Sequence, residues 1–132
     1  MRLSIVVNMY NTAEFLPKCM NSLINQDIPG DSYEIILVDD GSTDNSLELA
    51  NSYLDEKLNH PFWPEIRLCS HPNKGLAGAR NTGVDAAIGE YLCFVDPDDY
   101  IKENSLASLL QQMDDEQLDM LRFNYQKINE DG

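Results

Sequence analysis

From the amino terminus, short runs of consecutive apolar residues alternate with segments whose apolar residues recur every three or four positions. Leu3-Ser4-Ile5-Val6-Val7 is a nearly continuous apolar run with β-branched members, the pattern of a strand buried on both faces of a parallel sheet. Asn8-Met9-Tyr10-Asn11 breaks that run. Phe15, Leu16, Cys19, Met20, Leu23 and Ile24 then fall at helical spacing and predict a helix over about 13–26. Pro17 sits awkwardly in its first turns, so a short opening turn is expected before the main helix. Pro29-Gly30 marks a loop, and Tyr33-Glu34-Ile35-Ile36-Leu37-Val38 is a second strand ending in Asp39-Asp40-Gly41-Ser42-Thr43-Asp44. Ser42, Thr43 or Asp44 can cap a helix whose apolar positions are Leu47, Ala50, Leu54 and Leu58.

The alternation continues past a connection over 59–64, where two prolines flank Phe62-Trp63 in what reads as a surface loop. Glu65 to Ser70 predicts a third strand, and a helix is expected from the glycine-rich stretch after Asn73 to about Ile88. Its small residues Ala79, Gly83 and Ala87 repeat every four positions, giving a face that can lie close against neighbouring structure. Tyr91 to Val95 predicts a fourth strand, Ser105 to Met113 a helix, and Asp119 to Lys127 a further strand. Strand and helix in alternation predict an α/β fold: a three-layer α/β/α, Rossmann-like architecture with a mostly parallel sheet. A length of 132 residues sets the expectation of one domain over 1–132, and the absence of a natural stop near Gly132 sets the expectation that the architecture continues beyond it.

Charge narrows the partners. With 23 acidic residues against 9 basic ones, a net −14, the chain is a poor match for a nucleic acid, whose binding depends on neutralising many phosphates. An anionic small molecule bridged by a metal remains compatible, because a bound cation inverts the electrostatics of an acidic site. No apolar run is long enough to span a bilayer, and the amino terminus lacks a signal-peptide cleavage pattern, so a cytoplasmic location is expected. Cys19, Cys69 and Cys93 lack CxxC spacing and are expected to be small buried apolar side chains.

Three polar clusters follow three strands: 8–11, Asp39-Asp40, and Asp96-Pro97-Asp98-Asp99. In a right-handed parallel sheet, those strand ends share one edge, where open α/β sheets bind ligands. Asp96 and Asp98 are the natural metal pair, since their spacing lets one turn aim both carboxylates at a hard cation such as Mg²⁺ or Mn²⁺. A solvated turn is the plainer reading of these acids taken alone. The helix start near Gly75 offers free amides to an anion, and Lys74 and Arg80 supply charge suited to a diphosphate. An aromatic residue beside a base, an acid that accepts a base N–H and a carboxylate pair for metal would together bind a nucleotide diphosphate.

In these pieces the sequence resembles glycosyltransferase family 2, whose nucleotide-binding half has the GT-A fold. The resemblance rests on Val6 to Asn11, Val38 to Ser46, Asn73 to Gly83 and Phe94 to Asp99, in that order and spacing, and it runs from about Leu3 to Leu110. It implies that Tyr10 and Asp39 hold the nucleobase, commonly uracil, with Asn11 and Asp40 beside them. Asp96 and Asp98 become the DxD motif for metal and diphosphate. Lys74 and Arg80 contact the diphosphate or organise the site.

The implied reaction is inverting, metal-dependent transfer of a sugar from a nucleotide-diphosphate donor, a UDP-sugar by expectation, to an acceptor hydroxyl. Cell-surface polysaccharide assembly, at the inner face of the membrane, is a frequent role of the family. Asn8 stands where members commonly have Pro, and the general base and acceptor wall are expected beyond residue 132. Asp114, Asp115 and Glu116 read as a solvated helix end rather than that base. Two alternatives are a non-catalytic nucleotide-sugar binding module and an aspartyl-phosphate phosphatase. A dehydrogenase is disfavoured because Asn8-Met9-Tyr10-Asn11 stands where GxGxxG belongs. The exposed sheet edge near 119–127 also predicts self-association.

Overall fold

A computed structural model describes residues 1–116. Four strands, β1 (Leu3–Met9), β2 (Tyr33–Asp40), β3 (Glu65–His71) and β4 (Tyr91–Phe94), alternate with helices α1 (Leu16–Ile24), α2 (Ser46–Lys57), α3 (Gly75–Ala86) and α4 (Leu106–Glu116). The sheet is parallel throughout, in the order β3-β2-β1-β4. The chain therefore winds outward from β1 to β3 and then crosses back to β4. Because parallel crossovers are right-handed, that reversal sends α3 to the opposite face from α1 and α2.

Strand parity separates two cores. Leu3, Ile5, Val7 and Met9 of β1, with Tyr33, Ile35 and Leu37 of β2, pack with Leu16, Cys19, Met20 and Leu23 of α1, Ala50 of α2 and Leu106, Leu110 and Met113 of α4. On the other face, Val6, Ile36 and Val38 pack against Ala79. A β-carbon added at Gly83 would lie 2.4 Å from Val6 Cγ1, so the small-residue face of α3 is what lets that helix sit on the sheet.

The structure corrects several boundaries. β1, β2 and β3 run on to Met9, Asp40 and His71, because parallel pairing continues through Asn8↔Val38, Met9↔Asp39 and Asp40↔His71. Polar residues read as turns are thus strand ends, aimed by the sheet. The opening turn expected before Pro17 is present: Phe15 and Leu16 both donate to the Thr12 carbonyl at 3.0 Å, and α1 begins at Leu16. Pro17 then lies in the first turn, where a missing N–H costs nothing.

In α2 the buried face is Ser46 and Ala50 with Leu49, Tyr53 and Leu54, whereas Leu58, expected on that face, is 83% exposed. Cys69 is only half-buried. Asp114 lies at an exposed helix end, as expected, and there accepts from Tyr91 Oη at 2.6 Å and Arg2 Nη2 at 2.7 Å, bonds that hold its carboxyl below the usual range. The expected strand over 119–127 and its self-associating edge lie outside the described residues.

Candidate functional site

The strand order places the topological switch between β1 and β4, and ligands of open α/β sheets bind outside the carboxyl ends at such a point. Three loops meet on that edge. The segment after β1 is laced to the one after β2: Asn11 Oδ1 accepts from the backbone N–H groups of Thr43 (2.8 Å) and Asp44 (3.2 Å), Asn11 N–H donates to Ser42 Oγ at 3.0 Å, and Thr12 N–H donates to Ser46 Oγ at 2.9 Å. Asn11 holds this knot in the left-handed region, at φ 54°. Asp44 closes it, accepting from Ser46 N–H at 2.9 Å and Ala13 N–H at 3.3 Å, and the bonds from Ser46 lower its carboxyl below the ordinary value. Asn45 rather than Asp44 is the cap position of α2, yet it is the Asp44 carboxylate that serves the first turn.

The loop before α3 is tied to the end of β2. Lys74 N–H donates to Asp40 Oδ1 at 2.7 Å, and Asn73 bridges the Asp40 carbonyl (3.1 Å) and Gly75 N–H (3.2 Å). Gly41, at φ 75°, permits the approach, because a β-carbon there would lie 2.7 Å from Asn73 N. Between these loops is a cavity of about 260 Å³ lined by Asn8, Met9, Tyr10, Asp40, Asn73, Gly75, Leu76 and Ala79.

The cavity sorts the two adjacent acids. Asp40 shares the α3 face of β2 with Val38 and lines the cavity, while Asp39 follows Leu37 onto the other face, 2% exposed, with Oδ1 buried and without a hydrogen-bond partner among the described residues. Of the pair, Asp40 is therefore the one in reach of a ligand in the cavity. Its Oδ2 takes no hydrogen bond from the described residues. Tyr10, half exposed, stands at the cavity's rim.

Beyond β4, Val95 N–H donates to the Val6 carbonyl at 3.0 Å, and Asp96-Pro97-Asp98-Asp99 turns back with Asp99 N–H on the Asp96 carbonyl, also at 3.0 Å. Carboxylate oxygens of Asp96, Asp98 and Asp99 lie within 4.8 Å of one another. Ligand oxygens at about 2.1 Å from a small divalent cation are at most about 4.2 Å apart, so small side-chain rotations complete an all-oxygen site suited to a hard metal. Beneath the turn, Cys19 Sγ lies 3.8 Å from the Asp96 carbonyl. Burial first, and then the field of Asp99, Asp98 and Asp96, pushes its thiol up to about 12.

Arg80 of α3 lies over the ring of Phe94, on the strand that leads to the acids, 5.3 Å from its centroid, and its Nε is buried without a hydrogen-bond partner among the described residues. Lys74 is exposed at the start of α3. The nucleotide and metal residues singled out in the sequence thus lie at this edge, although Asn11 is occupied with the loops and Asp39, expected to hold the base, turns its carboxylate to the other face. Sequence reasoning named Asn8 and Asn73 only as members of motifs, gave Asp99 no role of its own in the acidic cluster, and missed His71. The overlooked signal for His71 is its register with Asp40, visible only once both strands are extended to their polar ends.

Comparison with known proteins agrees with this geometry. The model of the family described as glycosyl transferase family 2 matches residues 4–132. The chain is 38% identical over 129 residues to the glycosyltransferase GlyG of Streptococcus pneumoniae, covering 97% of this chain and 40% of that protein. It is 32% identical over 132 residues to the poly(ribitol-phosphate) β-N-acetylglucosaminyltransferase TarS of Staphylococcus aureus, covering 100% of this chain and 22% of that protein. Among solved structures, TarS 1–349 in complex with UDP superposes with a TM-score of 0.76 at 31% identity, over 87% of this chain and 32% of that one. A mannosyltransferase from Pyrobaculum calidifontis in complex with GDP-Man and Mn²⁺ gives 0.77 at 26% identity, over 85% and 32%. The fold is thus the GT-A type, and the chain spans well under half the length of these relatives. On the family match and these likenesses together, the chain belongs to glycosyl transferase family 2.

Proposed function

We propose that this chain is the donor-binding part of a metal-dependent, inverting glycosyltransferase that uses a nucleotide-diphosphate sugar, a UDP-sugar in the first place, to glycosylate an acceptor hydroxyl. The observation that carries the reading is the coincidence, on one sheet edge, of a three-carboxylate cluster and a cavity lined by a carboxylate with an open oxygen. Asp40 Oδ2 accepts the ring N–H of the base, which uracil and guanine possess and cytosine and adenine lack. The neighbours bound to UDP and to GDP-Man support that preference. Tyr10 flanks the base. The α3 amino terminus, Lys74 and Arg80 face the diphosphate, where backbone N–H groups and cations favour negative charge. Asp96 and Asp98, joined by Asp99, would hold Mn²⁺ or Mg²⁺, which neutralises the diphosphate as it leaves.

Residues 1–132 act as one binding unit in this reading, and the base that takes the acceptor's proton is not among the described residues. Asp114 is committed to Arg2 and Tyr91. The name of TarS, which carries a poly(ribitol-phosphate) polymer as its substrate, supports a cell-surface polymer as acceptor and hence work in the cytoplasm at the inner face of the membrane. No helix among the described residues is long and apolar enough to cross that membrane.

A thermal-shift screen of UDP, GDP, CDP and ADP, each with Mn²⁺ and with chelator, tests the reading. The expected result is stabilisation by UDP with Mn²⁺ above all, by GDP next, and little by the others. Equal shifts for all four, or none, would remove it.

A further inference from the structure

Asp40 and His71 are register partners at the ends of β2 and β3, so their side chains stand side by side on the face that α3 covers. Both are largely enclosed, with side-chain exposures of 7% and 12%. His71 Nδ1 lies 2.9 Å from the Pro72 carbonyl and 3.4 Å from Asp40 Oδ1. Neither oxygen carries a hydrogen, so Nδ1 carries one in either charge state of the ring. At the other end, Nε2 lies 3.0 Å from Thr82 Oγ1, and that hydroxyl is 3.1 Å from the Gly78 carbonyl one turn earlier in α3. A hydroxyl both donates and accepts, so it holds Nε2 whether or not that nitrogen is protonated. Turning the ring over would replace both nitrogens by carbons and lose both contacts. The imidazole is therefore fixed at two ends, with Nδ1–H donated to the Pro72 carbonyl and the same edge of the ring 3.4 Å from Asp40 Oδ1.

We infer that His71 is a positioning residue for base selection: from β3, the Nδ1 edge of its ring, seated beside Oδ1, limits the plane of the Asp40 carboxylate and so the direction of the oxygen left for a ring N–H. The inference rests on the reading of Asp40 as the base acceptor. Lys74 N–H alone, at 2.7 Å, pins one oxygen and leaves the carboxylate free to turn about that bond. The fixed edge of the imidazole, 3.4 Å from the same oxygen, narrows that freedom. His71 itself is not among the residues that line the cavity, so its effect on a nucleotide passes through Asp40.

The two nitrogens can be tested separately. The amide nitrogen of asparagine reaches the place of histidine Nδ1, and that of glutamine the place of Nε2. Calorimetry with UDP and with CDP, both in Mn²⁺, gives the ratio of affinities for wild type, His71→Asn, His71→Gln and Asp40→Asn. A charge-assisted hydrogen bond of ordinary strength corresponds to about tenfold or more in affinity. Wild type is expected to favour UDP by at least that factor, Asp40→Asn to abolish the ratio, His71→Gln to shrink it about tenfold by weakening UDP alone, and His71→Asn to keep it within about threefold.

A ratio unchanged in His71→Gln while Asp40→Asn abolishes it overturns the inference and leaves the base reading standing. Collapse in His71→Asn as large as in His71→Gln also overturns it, since the polar group at the Nδ1 position would then not be the agent. Equal UDP and CDP affinity in wild type, or no effect of Asp40→Asn, removes the base reading and the inference with it. Where His71→Gln does not fold, Thr82→Val keeps the ring and removes only the hydroxyl on Nε2. A narrowed ratio there supports the inference and an unchanged one overturns it.

Discussion

Beneath α3 the sheet carries a polar row at each end, and the two rows are finished differently. At the amino end are Ser4, Glu34 and Arg67. Glu34 is fully buried, yet its Oε2 accepts from Ser4 Oγ at 2.5 Å and Ile88 N–H at 2.9 Å, and Oε1 faces Arg67 Nε at 3.1 Å. Arg67 reaches on to the Ala86 carbonyl, and Gly89 N–H donates to Ser4 Oγ at 2.8 Å. The chain closes this row with its own groups and so fixes the turn after α3. At the carboxyl end are Asn8, Asp40 and His71, where, among the described residues, Asn8 Oδ1 is buried without a hydrogen-bond partner and Asp40 keeps an open oxygen.

Among the described residues, the other buried side-chain atoms without a hydrogen-bond partner are Glu34 Oε1 and Arg67 Nε, which meet each other as an ion pair, and Thr12 Oγ1, Asp39 Oδ1, Arg80 Nε and Tyr100 Oη, which belong to the strand ends, the loops that follow them or the first half of α3. Buried polar groups are almost always satisfied, so a concentration of unsatisfied ones on one edge marks where a ligand or ordered water completes the structure. A charged row in a sheet is architecture when the fold saturates it and a site when the fold leaves it open.

Removing Glu34 should break the first row and have the largest effect. Glu34→Ala strands the Ser4 hydroxyl and the Ile88 N–H and unpairs Arg67, which is part-exposed and can turn to water, so a loss of about 3 kcal/mol is expected in denaturant unfolding. Gly83→Ala should move the helix that covers both rows. Its β-carbon would sit 2.4 Å from Val6 Cγ1, and overpacking costs about 2–3 kcal/mol against a helix-propensity gain of about 1, leaving a net loss of about 1–2. Weaker UDP binding should accompany it, because Ala79 and Leu76 on α3 line the cavity. A melt and a titration on the same sample check both halves.

Asp40→Asn should show the opposite pattern to Glu34→Ala: near-normal stability, since Oδ1 still accepts from Lys74, but about tenfold or more lost in UDP affinity. The smallest effect is on acid stability. Hydrogen bonds from Ser46 hold the folded Asp44 carboxyl below its unfolded value, so its stabilising contribution is complete above the ordinary carboxylate range and fades as pH falls through the lowered value. Melting temperatures of wild type and Asp44→Asn should differ at neutral pH and converge in acid. A constant gap would show that the knot does not depend on that charge.

Much of this was legible in the sequence. Apolar runs such as Ile35 to Val38 and the small-residue face of α3 gave the strands, the close helix and the parallel three-layer class. The acids at Asp96 and Asp98 and the basic pair Lys74 and Arg80 reached the edge foreseen for them. Where the reading fell short, the cause was pairing. Apolar content marks where a strand is buried, but a strand ends where its hydrogen-bonded neighbour ends, so Asn8, Asp40 and His71 were placed in turns when they are strand residues. That slip also hid the parity of Asp39 and Asp40: alternation sends one carboxylate into the larger core and the other to the cavity, a distinction that a run of two acids does not contain.

Calorimetric titration of UDP into wild type and Asp98→Ala, each with Mn²⁺ and with chelator, tests most directly whether the open edge is a metal-assisted nucleotide-diphosphate site. Tight binding is expected only for wild type with Mn²⁺, because the carboxylates of Asp96, Asp98 and Asp99 repel a diphosphate until a cation lies between them. Equal affinity in the presence of Mn²⁺ and of chelator, or full Mn²⁺-dependent affinity in Asp98→Ala, would contradict it.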